Sequence, residues 1–263
     1  MVMEGDHLLS PGERLIVALD VPDEDRALDL AETLFPVVSR FKVGLQLYTA
    51  AGMSVVHKLT DMGADVFLDL KLHDIPHTVS SALRACVQPG VFMVDVHASG
   101  GRAMLEAAMA SVERLALELD IPRPKVLGVT ILTHLHVSDL IEIGFSQPKA
   151  AETASDGGAA WISRQVCRLA RLCQESGLDG VVASPHELGA IREEVGPSFL
   201  VVTPGIRPSG TELNDQVRVA TPMRAMRAGA SYIVVGRPIT EADDPLDAAR
   251  RVIREMEDAF LIA

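Results

Sequence analysis

The feature of this sequence that most constrains its fold is a series of short apolar runs. Eight runs occur, each rich in Val, Ile and Leu with little polar alternation. Such runs are typical of strands that are covered on both faces, as the strands of a parallel sheet are. They span residues 15–19, 41–43, 66–70, 92–96, 126–129, 180–183, 200–203 and 232–235.

Helical patterns lie between these runs, and they predict helices at residues 23–34, 48–62, 102–118 and 161–175. Eight strands that alternate with helices favour an α/β fold, a single closed (β/α)8 barrel. An open doubly wound sheet is the alternative. However, the first run is followed by Leu19-Asp20-Val21-Pro22 rather than by a G-x-G-x-x-G loop.

We expect one domain over residues 1–263, because α/β barrels commonly form a single unit of about 250 residues. Within it, residues 1–13 are predicted to be a leader. Residues 135–158 are predicted to be an insertion after the fifth strand.

Charge and cysteine content exclude several classes of protein. The chain has 24 Lys and Arg against 36 Asp and Glu, so an overall electrostatic attraction to nucleic acid or to an anionic membrane is not expected. Three cysteines without a C-x-x-C motif argue against a disulfide framework or a zinc site. No signal peptide or apolar run of about 18–20 residues is present, so we expect a cytoplasmic protein.

Ionisable residues stand at the carboxyl ends of the predicted strands, where barrel enzymes carry their active sites. Asp20 follows the first strand, Lys42 lies in the second, and Asp69 and Lys71 lie in the third. Asp69 and Lys71 are two residues apart, so we expect their side chains on the inner face, together with Lys42. A structural ion-pair network is possible, but apolar side chains would fill the barrel at less cost, which favours a catalytic role.

Basic residues follow the last two predicted strands, where barrels of this kind often bind phosphate. Arg207 ends the segment Pro204-Gly205-Ile206-Arg207, and Arg237 follows Gly236. Glycine permits close backbone approach, and arginine offers paired donors to a phosphate group. The polar loop at 206–216 suits a lid, although a plain surface loop is the alternative. The pattern predicts an anionic, phosphate-bearing small molecule as the ligand.

Seven segments, taken in order, resemble the orotidine 5′-phosphate decarboxylase family in its short bacterial form. Related sugar-phosphate barrels share the start of the motif D-x-K-x-x-D, so that motif alone is only moderately specific, whereas the whole series is far more specific. The segments are VALD (17–20), FKVG (41–44), DLKLHDIPHT (69–78), VDVHASGG (94–101), GVTILT (128–133), TPGIRP (203–208) with Asp215-Gln216, and IVVGRPIT (233–240).

The resemblance implies the decarboxylation of orotidine 5′-phosphate to uridine 5′-phosphate and CO2, the last step of de novo pyrimidine biosynthesis, without a metal or cofactor. Lys71 matches the lysine that protonates C6, and Asp69 matches the aspartate beside the departing carboxylate. Lys42 completes the charged array and, with Asp20, resembles the groups that hold the ribose hydroxyls. Asp74 matches an aspartate that reaches a neighbour's site across a homodimer interface, and Thr78 enters in the same way.

The remaining matched residues are implied to bind substrate. Thr133 matches a hydroxyl that reads the pyrimidine edge, and Gln216 links the closing loop to base and phosphate. The phosphate clamp is completed by Arg207, Gly236 and Arg237, with Pro204 in the same substrate-binding set.

The chemistry of the implied reaction suits these residues. Loss of CO2 from C6 leaves an in-plane carbanion that the ring cannot delocalise, so a fixed ammonium such as that of Lys71 must stabilise and protonate it. Two alternatives stay open. A metal-dependent sugar-phosphate lyase or epimerase would need His and Glu ligands at strand ends, and a non-catalytic nucleotide-binding barrel would have no need of Lys71.

Overall fold

The strands of the chain close into a barrel in which each strand pairs in parallel with its neighbours in sequence order, and the last strand returns to the first. The computed structural model describes residues 9–148, 156–209 and 220–261. The predicted (β/α)8 barrel is therefore confirmed. The strands are β1 (Leu15–Ala18), β2 (Arg40–Gly44), β3 (Asp65–Leu72), β4 (Val91–His97), β5 (Lys125–Val129), β6 (Gly180–Val182), β7 (Leu200–Thr203) and β8 (Tyr232–Val235).

Helices follow the strands and cover the outside of the barrel. The first long helix begins after Asp23, whose side chain accepts a hydrogen bond from the backbone N–H of Arg26 at 2.9 Å. The described helices are α1 (Pro11–Arg14), α2 (Glu24–Leu34), α3 (Leu45–Ala51), α4 (Met53–Asp61), α5 (Pro76–Cys86), α6 (Arg102–Leu119), α7 (Val137–Glu142), α8 (Ala159–Glu175), α9 (Leu188–Val195), α10 (Pro222–Arg227), α11 (Arg237–Thr240) and α12 (Pro245–Leu261).

The single helix predicted at residues 48–62 is wrong, because the structure has two helices there. The first begins at Leu45, directly after β2, and ends at Gly52. Gly52 has φ 61° and ψ −151°, a conformation that glycine adopts readily and that stops the helix. The helical spacing of apolar residues continues across this glycine, and for that reason the sequence pattern predicted one helix.

Two apolar clusters hold the barrel together. The larger one lies between the strands and the surrounding helices, and the smaller one fills the barrel interior. Inward and outward residues alternate along each strand, so the interior cluster takes every second residue. Its buried members are Ile16, Ala18, Phe67, Met93, Leu127, Leu200, Val202, Tyr232 and Val234.

Arg40 closes the amino-terminal end of the barrel. Its guanidinium lies over the rings of Phe92 and Tyr232, at 5.3 and 5.6 Å from their centroids, and pairs with Asp65 at 3.2 Å. Apolar side chains fill the layers above it. The interior is therefore closed from below, and the opposite end is free to carry a site.

The predicted leader and insertion are described in part. Residues 1–8 and 149–155 lie outside the described residues, whereas helix α7 falls within the insertion and helix α1 begins in the leader and ends one residue beyond it, at Arg14. None of the helices in the described ranges is both long and apolar enough to cross a membrane.

Candidate active site

A cavity of about 950 Å³ opens at the carboxyl ends of the strands. This volume is at the upper end of the usual range for small-molecule sites. Apolar side chains, among them Phe67, Ile131 and Val234, form part of its wall. The wall also includes most residues that the sequence singled out, namely Asp20, Lys42, Asp69, Lys71, Thr133, Pro204, Arg207, Gly236 and Arg237.

Four charged side chains of alternating sign form a continuous chain in this cavity. The Nζ of Lys42 lies 2.9 Å from Asp20 Oδ1 and 3.1 Å from Asp69 Oδ2. The other carboxylate oxygen of Asp69 pairs with Lys71 Nζ. Lys42 and Asp69 are each only 7% exposed, so the ion pair between them, at the centre of this charged array, is shielded from water. The predicted meeting of Lys42, Asp69 and Lys71 is what the structure shows.

Mutual attraction keeps the central pair of this chain ionised. Burial opposes ionisation of Asp69, but the charges of Lys42 and Lys71 outweigh it and hold the pKa of the carboxyl well below its usual range. Burial likewise opposes the charge on Lys42, yet Asp69 and Asp20 raise the pKa of its ammonium. The site therefore presents fixed opposite charges at neutral pH.

The backbone that carries Asp69 and Lys71 departs from regular strand geometry. Leu68 pairs with Val94 and Leu72 with Val96, so three residues of β3 lie opposite one residue of β4. Lys71 sits in this bulge with φ 49°, in the left-handed region that residues other than glycine rarely adopt. The simple alternation expected from sequence is therefore not what places Lys71, because the bulge directs its side chain.

Asp95 is a residue of the site that the sequence reasoning missed. It is the β4 residue opposite the bulge, it is 1% exposed, and its Oδ1 accepts the backbone N–H of Lys71 at 2.7 Å. The sequence did contain a signal for Asp95. Alternate residues of a strand point to the same face, so Asp95 lies on the inward face with Met93, and Val94 and Val96 lie on the outward face. An acidic residue at an inward position of an apolar strand is costly without a purpose.

Arg207 and Arg237 contribute positive charge on the β7–β8 side of the cavity. Arg207 is 6% exposed, and its backbone N–H donates to the carbonyl of Ala220 at 3.0 Å. This bond ties together the two ends of the segment that contains Gln216, which lies outside the described residues.

Gly236 leaves room at the start of α11. A Cβ added to Gly236 would make only ordinary contact with Ala18, at 3.5 Å. The packing of the protein itself therefore does not demand a glycine there, and the space above this backbone is open to a ligand.

Asp74 and Thr78 do not join the cavity of their own chain. Both are exposed, and Asp74 Oδ1 accepts the neighbouring backbone N–H of Ile75 at 2.6 Å. Thr78 lies in the first turn of α5. Within one chain the second carboxyl beside Lys71 is that of Asp95. The homodimer and the contribution of Asp74 to a neighbouring site stay predictions.

Metal ligands are not grouped in the described parts of the chain. No set of three His, Cys, Asp or Glu side chains in those ranges could hold a metal ion together. Asp20 and Asp69 of the cavity pair with lysines instead.

A (β/α)8 barrel with an array of lysines and aspartates in a cavity at the carboxyl ends of its strands is typical of an enzyme. The model of the "Orotidine 5′-phosphate decarboxylase / HUMPS family" matches residues 13–252. The chain therefore belongs to the orotidine 5′-phosphate decarboxylase family, and it is an enzyme of the carboxy-lyase class.

Individual relatives agree with this family. The orotidine 5′-phosphate decarboxylase of Moorella thermoacetica is 49% identical over 246 residues, covering 93% of this chain and 92% of the relative. That of Hydrogenovibrio crunogenus is 46% identical over 239 residues, covering 90% and 93%. The crystal structure of orotidine 5′-phosphate decarboxylase from Lactobacillus acidophilus superposes with a TM-score of 0.76 at 36% identity, covering 93% of this chain and 99% of the other.

Proposed function

We propose that this enzyme converts orotidine 5′-phosphate to uridine 5′-phosphate and CO2, the last step of pyrimidine nucleotide synthesis, without a metal or cofactor. The observation that carries the proposal is the charged array Asp20–Lys42–Asp69–Lys71, with Lys42 and Asp69 buried at its centre, in one cavity with Arg207 and Arg237. The family membership supports the substrate, because the curated relatives bear its name.

In the proposed reaction, the bond between C6 and its carboxylate carbon breaks, and the electron pair stays on C6. This carbanion lies in the ring plane and has no cofactor to share its charge. The ammonium of Lys71 stabilises the developing charge, donates its proton to C6, and takes up another proton from water. Because Asp69 binds both lysines, it holds the Lys71 ammonium at a fixed position before substrate arrives.

The arginines serve the reaction from a distance. Arg207 and Arg237 bind the phosphate, and apolar side chains such as Phe67 and Val234 surround the base. Binding energy from a non-reacting phosphate can be used to orient the ring against Lys71. Thr133 and Pro204 lie on the same wall and contact the substrate, and Asp20 with Lys42 holds the ribose hydroxyls.

The test follows the loss of orotidine 5′-phosphate by its ultraviolet absorption, with and without EDTA. We expect turnover that EDTA does not change. In Lys71→Ala, turnover falls by at least about 10⁴-fold, whereas affinity for uridine 5′-phosphate stays within about tenfold. Lys58→Ala, at an exposed position, serves as the control.

Each alternative function gives a different result. Loss of turnover with EDTA would indicate a metal-dependent lyase. Nucleotide binding without turnover would indicate a non-catalytic barrel. Turnover in Lys71→Ala equal to that of the wild type would remove this lysine from the mechanism.

The proposal includes a homodimer in which Asp74 and Thr78 reach the neighbouring site. Their exposure outside their own cavity supports it. Inactive Lys71→Ala and Asp74→Ala chains are mixed after reversible dissociation. If the residues act in different chains, about a quarter of the sites regain both groups, because half of the dimers are mixed and each has one intact site. No recovered activity in verified mixed dimers would contradict the shared site.

A further inference from the structure

We propose that Asp95 acts as a neutral carboxylic acid that positions the catalytic pair, accepting the backbone N–H of Lys71 and donating a hydrogen bond to the carboxylate of Asp69. The inference rests on the proposed function for its catalytic meaning. Its structural basis is independent of the substrate. Asp95 is a positioning residue, since it does not line the cavity itself.

The first observation is that Asp95 supports an unusual backbone. Residues 69–71 lie opposite Asp95 alone, so the bulge removes them from the regular ladder of β3 and β4. Lys71 has φ 49°, which costs free energy for a residue with a side chain. The hydrogen bond from Lys71 N–H to Asp95 Oδ1, at 2.7 Å, holds the backbone in that conformation.

The second observation concerns the other oxygen of Asp95. Asp95 Oδ2 is fully buried, and in the described parts of the chain no donor reaches it. The carboxyl groups of Asp95 and Asp69 are neighbours that shift each other's pKa, and a hydrogen bond between them requires that one of them carry a proton. Asp69 is held ionised by Lys42 and Lys71, so the proton belongs on Asp95.

The charge balance of the site agrees with this assignment. With Asp95 neutral, the array of Asp20, Lys42, Asp69 and Lys71 holds two positive and two negative charges. Burial first, and then the negative charge of Asp69, raise the pKa of Asp95 well above its usual range. In the described parts of the chain, the titratable groups that interact with the charge of Asp95 are Asp69 and Lys71 from β3 and the Cys86 thiol from α5, and Lys71 is the cation among them. An ionised Asp95 would add an unbalanced negative charge beside Asp69.

The test compares Asp95→Asn with Asp95→Ala. Asparagine can accept the Lys71 N–H through Oδ1 and donate to Asp69 through its amide nitrogen, as the neutral acid does. We expect kcat within about threefold of wild type in Asp95→Asn. In Asp95→Ala, kcat falls about 10²-fold with little change in KM, because a small misplacement of Lys71 affects the reaction more than binding.

A second readout is independent of activity. Above about pH 4 the unfolded chain carries an ionised Asp95, so folding takes up a proton and this contribution to stability falls as pH rises. Asp95→Asn lacks that proton. The Tm of Asp95→Asn relative to that of the wild type should therefore rise by about 2 °C per pH unit from about pH 5 up to the raised pKa of Asp95. Asp61→Asn, at an exposed position, serves as the control.

These outcomes decide the proposal even if Asp95→Ala does not fold. A constant Tm difference for Asp95→Asn would show that Asp95 is ionised in the folded protein and would overturn it. An equal loss of kcat in Asp95→Asn and Asp95→Ala would also overturn the proposal, as would full activity in Asp95→Ala. If the wild type fails to decarboxylate orotidine 5′-phosphate, the proposed function fails, while the Tm comparison still tests the protonation of Asp95.

Discussion

Lys42→Met tests whether Lys42 stabilises the folded protein through its ion pairs with Asp20 and Asp69. Methionine is similar in length and apolar, so the change removes the charge with little loss of volume. The Lys42 side chain is 9% exposed and contacts Asp20 at 2.9 Å and Asp69 at 3.1 Å. Its loss leaves the equally buried Asp69 with Lys71 as its remaining cation.

The size of the effect can be worked out from these contacts. Breaking a buried ion pair by removing one partner costs about 3–5 kcal/mol. At about 2.1 cal/mol/K per residue, the unfolding entropy of the 263-residue chain is about 0.55 kcal/mol/K. The expected fall in Tm is therefore about 5–9 °C, together with a rise in the pKa of Asp69.

The assay is thermal unfolding monitored by circular dichroism at neutral pH. Lys58→Met is the matched control, because Lys58 pairs with Glu24 on the surface with half of its side chain exposed, and its Tm should change by less than about 2 °C. In the double variant Lys42→Met/Asp69→Asn, the loss should be smaller than the sum of the single losses. Equal shifts for the two lysines, or strict additivity, would refute the reasoning.

Two further predictions concern the phosphate side and the barrel wall. Arg207→Gln should weaken uridine 5′-phosphate binding by about 10- to 100-fold, because a charge-assisted hydrogen bond to the phosphate is lost. Uridine has no phosphate, so its binding should not change in the same calorimetric titrations. Equal losses for both ligands would contradict phosphate binding by Arg207. Gly180→Ala should lower the Tm by at least about 2–5 °C, because its Cβ would lie 2.4 Å from the backbone oxygen of Leu200, which cannot move aside. Gly189→Ala has open space and should hold or raise the Tm, so similar behaviour of the two variants would argue against the steric explanation.

The strands were predictable because their signal is local. A parallel strand that is buried on both faces needs an unbroken apolar run, and each predicted run overlaps a strand of the structure. Helix boundaries were less predictable. Gly52 separates α3 from α4 inside a continuous apolar spacing, and the spacing contains no information on the positive φ that stops the chain there.

The arrangement of the site was predictable to the extent that topology dictates it. Once parallel strands close into a barrel, their carboxyl ends must share one mouth, so Asp20, Lys42 and Arg237 reach one cavity although they are far apart in sequence. The position of Asp74 was not predictable in this way. Whether its side chain faces its own site or a neighbour's depends on contacts beyond the strand ends.

The sequence by itself determined the barrel and the kinds of charge at its mouth, because apolar periodicity and residue chemistry are properties of short segments. Only the tertiary structure decided how those charges act on each other. The bulge opposite β4, the left-handed backbone of Lys71 and the burial of Asp95 arise from the pairing of two strands and the exclusion of water between them. Protonation follows from that burial, because the cost of a charge is set by its surroundings and not by its neighbours in the chain.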